Sequence, residues 1–118
     1  MMHRIFILAA GIAGAAGVAT AAGAAHAEAS NLSASSAMFF AHAPAFLALA
    51  LTRPAGSPMR PVDFAGLVLL IGVALFCGDL LARQYLGGRL FPFAAPAGGF
   101  LMIAGWLAVA ATALAPRR

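Results

Sequence analysis

Four long stretches of apolar residues, separated by short polar or Pro/Gly-rich segments, dominate this sequence. They fall at about residues 5–27, 37–52, 64–85 and 97–115. About 20 apolar residues are enough for a helix to cross the hydrocarbon core of a membrane. Charged residues make up 8% of the 118 residues, too few to keep a chain that is 64% hydrophobic folded in water. The sequence therefore predicts an all-α fold, a single integral membrane bundle of four transmembrane helices.

The charged residues give the chain a net charge of +4, and its seven basic residues are all arginine. These arginines are scattered between the apolar stretches, whereas a nucleic-acid-binding face clusters its basic residues among polar or aromatic ones. We therefore expect the lipid bilayer, and no nucleic acid, as a partner. An excess of arginine in a membrane protein also predicts its orientation.

Loops rich in lysine and arginine stay on the cytoplasmic side of a membrane. With four spans, one side of this protein would carry five arginines: Arg4, Arg53, Arg60, Arg117 and Arg118. The other side would carry Arg89 and the end of the third stretch, which holds Arg83. The sequence therefore predicts that both termini and the middle loop are cytoplasmic.

Small residues recur in the first and fourth stretches and predict close helix packing. In lipid, glycine and alanine let helix backbones approach one another, because dispersion replaces the hydrophobic effect as the driving force. Trp106 lies well inside the fourth stretch, so we expect its N–H to bond across helices. The residues predicted to pack are Gly11, Gly14, Gly17, Gly98, Gly99, Gly105 and Trp106. A second copy of the chain or another membrane protein could use such faces.

Four polar residues lie within or at the ends of the apolar stretches: His26, His42, Asp79 and Arg83. Asp79 and Arg83 are four residues apart and can pair on one helix face, with Arg83 reaching the headgroups. With the termini inside, all four would lie in the outer half of the membrane. This shared location allows a second interpretation besides a structural ion pair. Asp79, His26 and His42 would line an outward-facing pocket that binds or relays a proton or a small solute.

Other chemistry finds little support in the sequence. Three histidines and Cys77 have no metal-ligand spacing, and no nucleophile–base pair or phosphate-binding loop is present. We therefore expect no metal, no cofactor and no enzymatic activity.

The N-terminus also resembles a secretory signal, with Ala25–Ala27 as a cleavage motif, although the apolar stretch is longer than the usual core of about 7–15 residues.

Several segments resemble a known family. Pro96–Trp106 is similar to the P-x-G-G-x-x-x-x-x-G-W segment of the domain-of-unknown-function 423 family, small bacterial inner-membrane proteins related to the eukaryotic transmembrane protein 256 group. Ala21–His26, Phe39–Ala43 and Phe76–Leu80 resemble three further family segments in order and spacing. The resemblance implies a four-helix, multi-pass protein of the bacterial inner membrane with a retained first helix. It carries no catalytic residue, and Asp79 departs from the family's small serine.

Three hypotheses follow. The first is an accessory protein that packs within a membrane assembly. The second is a transporter or channel component that uses the polar residues. The third is a cleaved signal followed by three helices.

Overall fold

The computed structural model describes residues 1–26 and 30–116. This part of the chain forms four α-helices: α1 (Met2–His26), α2 (Ser30–Leu51), α3 (Pro61–Tyr85) and α4 (Ala94–Thr112). Each helix is long and apolar enough to cross a membrane. The chain is therefore an all-helical, multi-pass membrane protein, and a lipid bilayer is its solvent.

The start of α2 differs from the prediction. The sequence predicts a polar linker over residues 28–36, but residues from Ser30 onward are helical. The reason is packing: Leu32, Ser35, Ser36 and Phe39 share one helix face and are all buried. The Ser36 hydroxyl donates a 3.0 Å hydrogen bond to the carbonyl of Gly17 in α1, which lets a serine-rich segment be helical inside the bundle. Residues 27–29, with the predicted end of the first helix, lie outside the described residues.

Proline sets the starts of α3 and α4, each three residues earlier than predicted. Pro61 is the first residue of α3, and Pro96 lies in the first turn of α4. Proline fits these positions because the first amides of a helix have no partner within it. α4 ends at Thr112, before the predicted residue 115.

Helices that follow one another in the chain pack together, α1 on α2, α2 on α3 and α3 on α4. The rings of Phe6 in α1 and Phe46 in α2 stack with centroids 6.4 Å apart. Both rings are fully buried, and Leu69 of α3 and Met102 of α4 complete this core. Ile12, Phe100 and similar large residues face outward, as expected where the surroundings are lipid.

The contact between α3 and α4 depends on glycine. A Cβ on Gly98 would lie 2.5 Å from the Phe76 amide nitrogen and 2.7 Å from the Gly72 carbonyl oxygen. A Cβ on Gly105 would lie 2.7 Å from the Leu69 side chain. Both glycines therefore allow the two helices to approach closely, as the sequence predicts for them.

Candidate functional site: the buried polar residues

Asp79 is fully buried in the second-to-last turn of α3, and its carboxylate accepts hydrogen bonds from two groups. One carboxylate oxygen accepts a 2.7 Å hydrogen bond from the Arg83 guanidinium, one turn further along the helix. The other accepts a 2.9 Å bond from the backbone amide of Leu90, in the connection to α4. Asp79 therefore fastens the α3–α4 connection to the end of α3, with both oxygens occupied.

His42 is buried on α2 and also has both polar atoms occupied. Its Nδ1 lies 2.8 Å from the carbonyl oxygen of Met38, and its Nε2 lies 3.1 Å from the indole nitrogen of Trp106. A carbonyl can only accept and an indole N–H can only donate. The hydrogen-bond pattern thus assigns the proton to Nδ1 and makes Nε2 the acceptor, so the ring is neutral.

The earlier start of α2 changes the depth of His42. His42 comes twelve residues after Ser30, so it lies about 18 Å, or roughly three turns, from the start of α2. A helix starting at residue 37, as predicted, would have put it less than two turns from that start. The Cys77 thiol of α3 donates a hydrogen bond to the Ser35 carbonyl of α2, which shows that these two residues lie level in the antiparallel helices. By this alignment His42 lies roughly 13 Å deeper along the bundle axis than Asp79. The prediction that the two share one depth is therefore wrong.

His26 occupies the last turn of α1 and is exposed. Among the described residues, no hydrogen bond or ion pair joins it to His42, Asp79 or Arg83. The four predicted residues thus divide into an Asp79–Arg83 pair near one end, His42 in the middle with Trp106, and His26 on the surface. They do not form one hydrogen-bonded cluster.

A second buried carboxylate, one residue before the third predicted stretch, organises the opposite end of α3. Asp63 is fully buried and accepts hydrogen bonds from the guanidinium groups of Arg53 and Arg60, the latter at 2.8 Å. It also accepts the Arg60 backbone amide at 2.8 Å, as an acidic residue in the first turn commonly does. The Arg60-Pro61-x-Asp63 spacing was the signal: a proline at the helix start followed two residues later by an acid.

Arg60 extends this network to the end of α2. It donates to the carbonyl of Leu49 at 3.1 Å and more weakly to that of Thr52 at 3.4 Å. Leu49 lies in the last turn of α2, whose carbonyls have no partner within their own helix, and Thr52 directly follows the helix. Arg53 and Arg60, two of the five arginines that predict the orientation, thus also close the connection between α2 and α3.

The predicted packing glycines separate into two groups. Gly17 is buried where a Cβ would lie 2.8 Å from the Phe40 ring, and Gly98 and Gly105 pack against α3. By contrast, no heavy atom lies within 4 Å of a Cβ built on Gly11, Gly14 or Gly99. Gly11 is exposed, and Gly14 and Gly99 are partly exposed. These three glycines have no close neighbour inside the described bundle, so their predicted role in packing stays a prediction about contacts with a second protein.

Two shallow grooves on the outside of the bundle border Gly11 and Gly99. The first, about 410 Å³, lies between α1 and α2 beside Gly11 and Pro44. The second, about 470 Å³, lies between α2 and α4 beside Gly99, with His42 and Trp106 in its lining. Within residues 1–26 and 30–116, no group of three His, Cys, Asp or Glu side chains lies close enough to hold a metal ion.

Comparison with known proteins adds one relationship. A family model described as "Protein of unknown function (DUF423)" matches residues 10–99. The match covers most of α1, all of α2 and α3 and the first turns of α4. No solved structure matches the chain.

Proposed function

This chain belongs to the DUF423 family of proteins of unknown function, and we propose that it is a non-enzymatic accessory protein of a membrane assembly. It acts by packing α1 against a transmembrane helix of a second copy or of another membrane protein. The protein resides in the inner membrane of a bacterium, with both termini in the cytoplasm.

The observation that carries this proposal is the outward-facing surface of α1. Gly11, Ala15, Ala19 and Ala22 are all exposed, and their spacing aligns them along the helix. The exposed side chain of Ile12 flanks this line, so the surface has a shallow centre beside a larger residue. Such a surface gains little packing energy against flexible lipid chains, but it lets the backbone of another helix approach closely.

The lack of enzymatic activity rests on how the buried polar groups are used. The carboxylates of Asp63 and Asp79 and the His42 ring all bond to groups of the same chain. These bonds hold connections and helices together. We do not extend the proposal to transport, because His42 and Asp79 lie at different depths and bond to different helices.

The proposal is tested by changing the size of the α1 surface. Purification in mild detergent followed by crosslinking and native mass spectrometry should yield the wild type as an oligomer or with a copurifying membrane protein. Gly11→Leu and Ala15→Leu should abolish that association, because their side chains fill the shallow centre. Ala104→Leu adds a similar volume to an exposed position of α4 and should leave the association intact.

Two results would contradict the proposal. One is a wild type that is monomeric and copurifies with nothing in native membranes extracted under these conditions. The other is equal association of the Gly11→Leu and Ala104→Leu variants.

The proposal also requires that α1 remains part of the protein. α1 supplies the buried Phe6 and the carbonyl that receives the Ser36 hydroxyl. We expect mass measurement of the purified protein to show a chain that still contains the first 27 residues. A chain starting at Glu28 would sustain the cleaved-signal alternative instead.

A further inference from the structure

The end of the bundle where α1 begins and α2 ends contains a cleft of about 330 Å³. It is lined by Met1, His3, Arg53 and the turn Pro54–Ser57. His3 lies one residue inside α1 and Arg53 two residues beyond α2, so the cleft sits where the apolar helices give way to polar residues. In a bilayer this is the depth of the lipid headgroups.

The cleft carries uncompensated positive charge. Two guanidinium groups, those of Arg53 and Arg60, bond to the one carboxylate of Asp63, so this network keeps one positive charge. Arg4 does not line the cleft, but it is exposed next to His3 and adds a second positive charge at this end of the bundle. Among the described residues the other acid, Asp79, lies near the opposite end of α3.

Several hydrogen-bond donors at the cleft have no partner within the described chain. The Arg53 guanidinium makes three of its five possible bonds, to Asp63 and to the carbonyls of Ser57 and Pro58. Gly56 has a φ of +68° and the Ser57 amide bonds back to the Pro54 carbonyl, which closes a tight turn. The amides of Ala55 and Gly56 make no backbone hydrogen bond in the described residues.

The cleft is also held in shape before any ligand binds. Arg53 is fixed by its bonds to Asp63, Ser57 and Pro58, and its side chain is only 10% exposed. His3 Nδ1 lies 3.0 Å from the Ala50 carbonyl oxygen, which ties the start of α1 to the end of α2. A site already ordered in this way loses little entropy when a ligand binds.

We propose that this cleft binds the phosphate of an anionic phospholipid, with Arg53, His3 and the free amides of the Pro54–Ser57 turn as its ligands. The lipid is one whose headgroup keeps a net negative charge, such as phosphatidylglycerol or cardiolipin. A zwitterionic headgroup fits less well, because its ammonium group would add positive charge beside a network that already has one guanidinium more than carboxylates. The acid at this end, Asp63, is fully buried and bonded to both arginines.

The test uses the full chain purified from vesicles that contain equal amounts of phosphatidylglycerol and phosphatidylethanolamine with the same acyl chains. Native mass spectrometry then counts the lipids that remain bound. We expect the wild type to retain phosphatidylglycerol in preference to phosphatidylethanolamine. Replacing Arg53 would also release Asp63, so the informative variant is Ala55→Glu, at an exposed position of the turn.

Ala55→Glu places a carboxylate at the cleft and should lower phosphatidylglycerol retention about fivefold, the effect of one charge at a membrane surface. Ala55→Gln has the same size without the charge and should retain the lipid as the wild type does. Gly88→Glu adds the same charge at the opposite end, at an exposed position with no heavy atom within 4 Å, and should also behave as the wild type.

Equal retention of the two lipids by the wild type, or unchanged retention by Ala55→Glu, would overturn the proposal. A further arm replaces the lipid with inorganic phosphate in detergent. We expect no retained phosphate, because the diacylglycerol part of the lipid holds the headgroup at this depth. Phosphate retained as well as the lipid would show that the cleft is a site for the free anion instead.

Discussion

The indole nitrogen of Trp106 donates a 3.1 Å hydrogen bond to Nε2 of His42, joining α4 to α2 in the middle of the bundle. The two rings are tilted by 50° with their centroids 5.7 Å apart. His42 is almost fully buried, whereas Trp106 is 43% exposed and presents its ring to the surrounding lipid. Water cannot replace either partner at this depth, so each of the two groups depends on the other for its hydrogen bond.

This pair predicts a coupled effect on stability. Trp106→Phe removes the donor and leaves Nε2 of His42 without a partner, while His42→Leu leaves the indole N–H without an acceptor. The double variant has no unpaired group, so it should be more stable than the sum of the single losses implies. We expect a coupling free energy of about 0.6 kcal/mol, and at most about 1.7 kcal/mol. A double-mutant cycle of unfolding in bicelles measures it, and strictly additive losses would contradict it.

Gly98 and Gly99 are adjacent, but replacement by alanine should have different effects on the free energy of unfolding at the two positions. A Cβ on Gly98 would meet the backbone of α3 at 2.5 Å, which a side-chain rotation cannot relieve. Gly98→Ala should therefore lower the free energy of unfolding by about 1–3 kcal/mol.

Gly99→Ala is the matched control, because no heavy atom lies within 4 Å of its Cβ. It should be neutral or stabilising by up to about 1 kcal/mol, since alanine favours a helix more than glycine does. Thermal unfolding of both variants in one detergent decides between them. Similar losses for the two would mean that α3 and α4 do not approach at Gly98.

The four helices could be predicted from the sequence because long apolar stretches leave lipid as the only solvent for them. The start of α2 could not, because serine has low hydropathy wherever it lies. Ser36 is helical owing to its bond to Gly17 of another helix, which no local pattern reveals. That error also put His42 too close to the membrane surface.

The polar residues were predictable one by one but not as a set. The Asp79–Arg83 pair follows from helical spacing and is present. The bond between His42 and Trp106 joins residues 64 positions apart, and the sequence predicts only that the Trp106 N–H bonds across helices, without its partner. Helical spacing shows which glycines of α1 share a face but not whether that face turns inward, as Gly17 does, or outward, as Gly11 does.

Asp79 predicts a graded effect. Asp79→Asn keeps an oxygen that can accept the Leu90 amide but loses the charge that pairs with Arg83. Asp79→Leu has a similar size and loses both bonds. We expect Asp79→Leu to lower the free energy of unfolding by about 1–3 kcal/mol, the cost of leaving a buried group unpaired, and Asp79→Asn by less.

The same variants should differ in the connection between α3 and α4. Without the Leu90 bond, residues 86–93 are no longer fastened to α3, so limited proteolysis should cut this segment faster in Asp79→Leu than in Asp79→Asn or the wild type. Equal cleavage of the two variants would show that the charge, and not the bond to Leu90, holds the connection.

The arginine distribution predicts which way the bundle lies in the membrane, and the structure offers two exposed loop positions to test it. Ala55 lies in the α2–α3 connection and Gly88 in the α3–α4 connection, at opposite ends of the bundle. Cys77, the sole cysteine, is buried, so the wild type serves as the unlabelled control.

A membrane-impermeant maleimide added to intact spheroplasts should label Gly88→Cys and not Ala55→Cys. After the membrane is made permeable both should react, because both positions are exposed. The reverse pattern in intact cells would place the arginine-rich end, with its proposed lipid cleft, on the outer side.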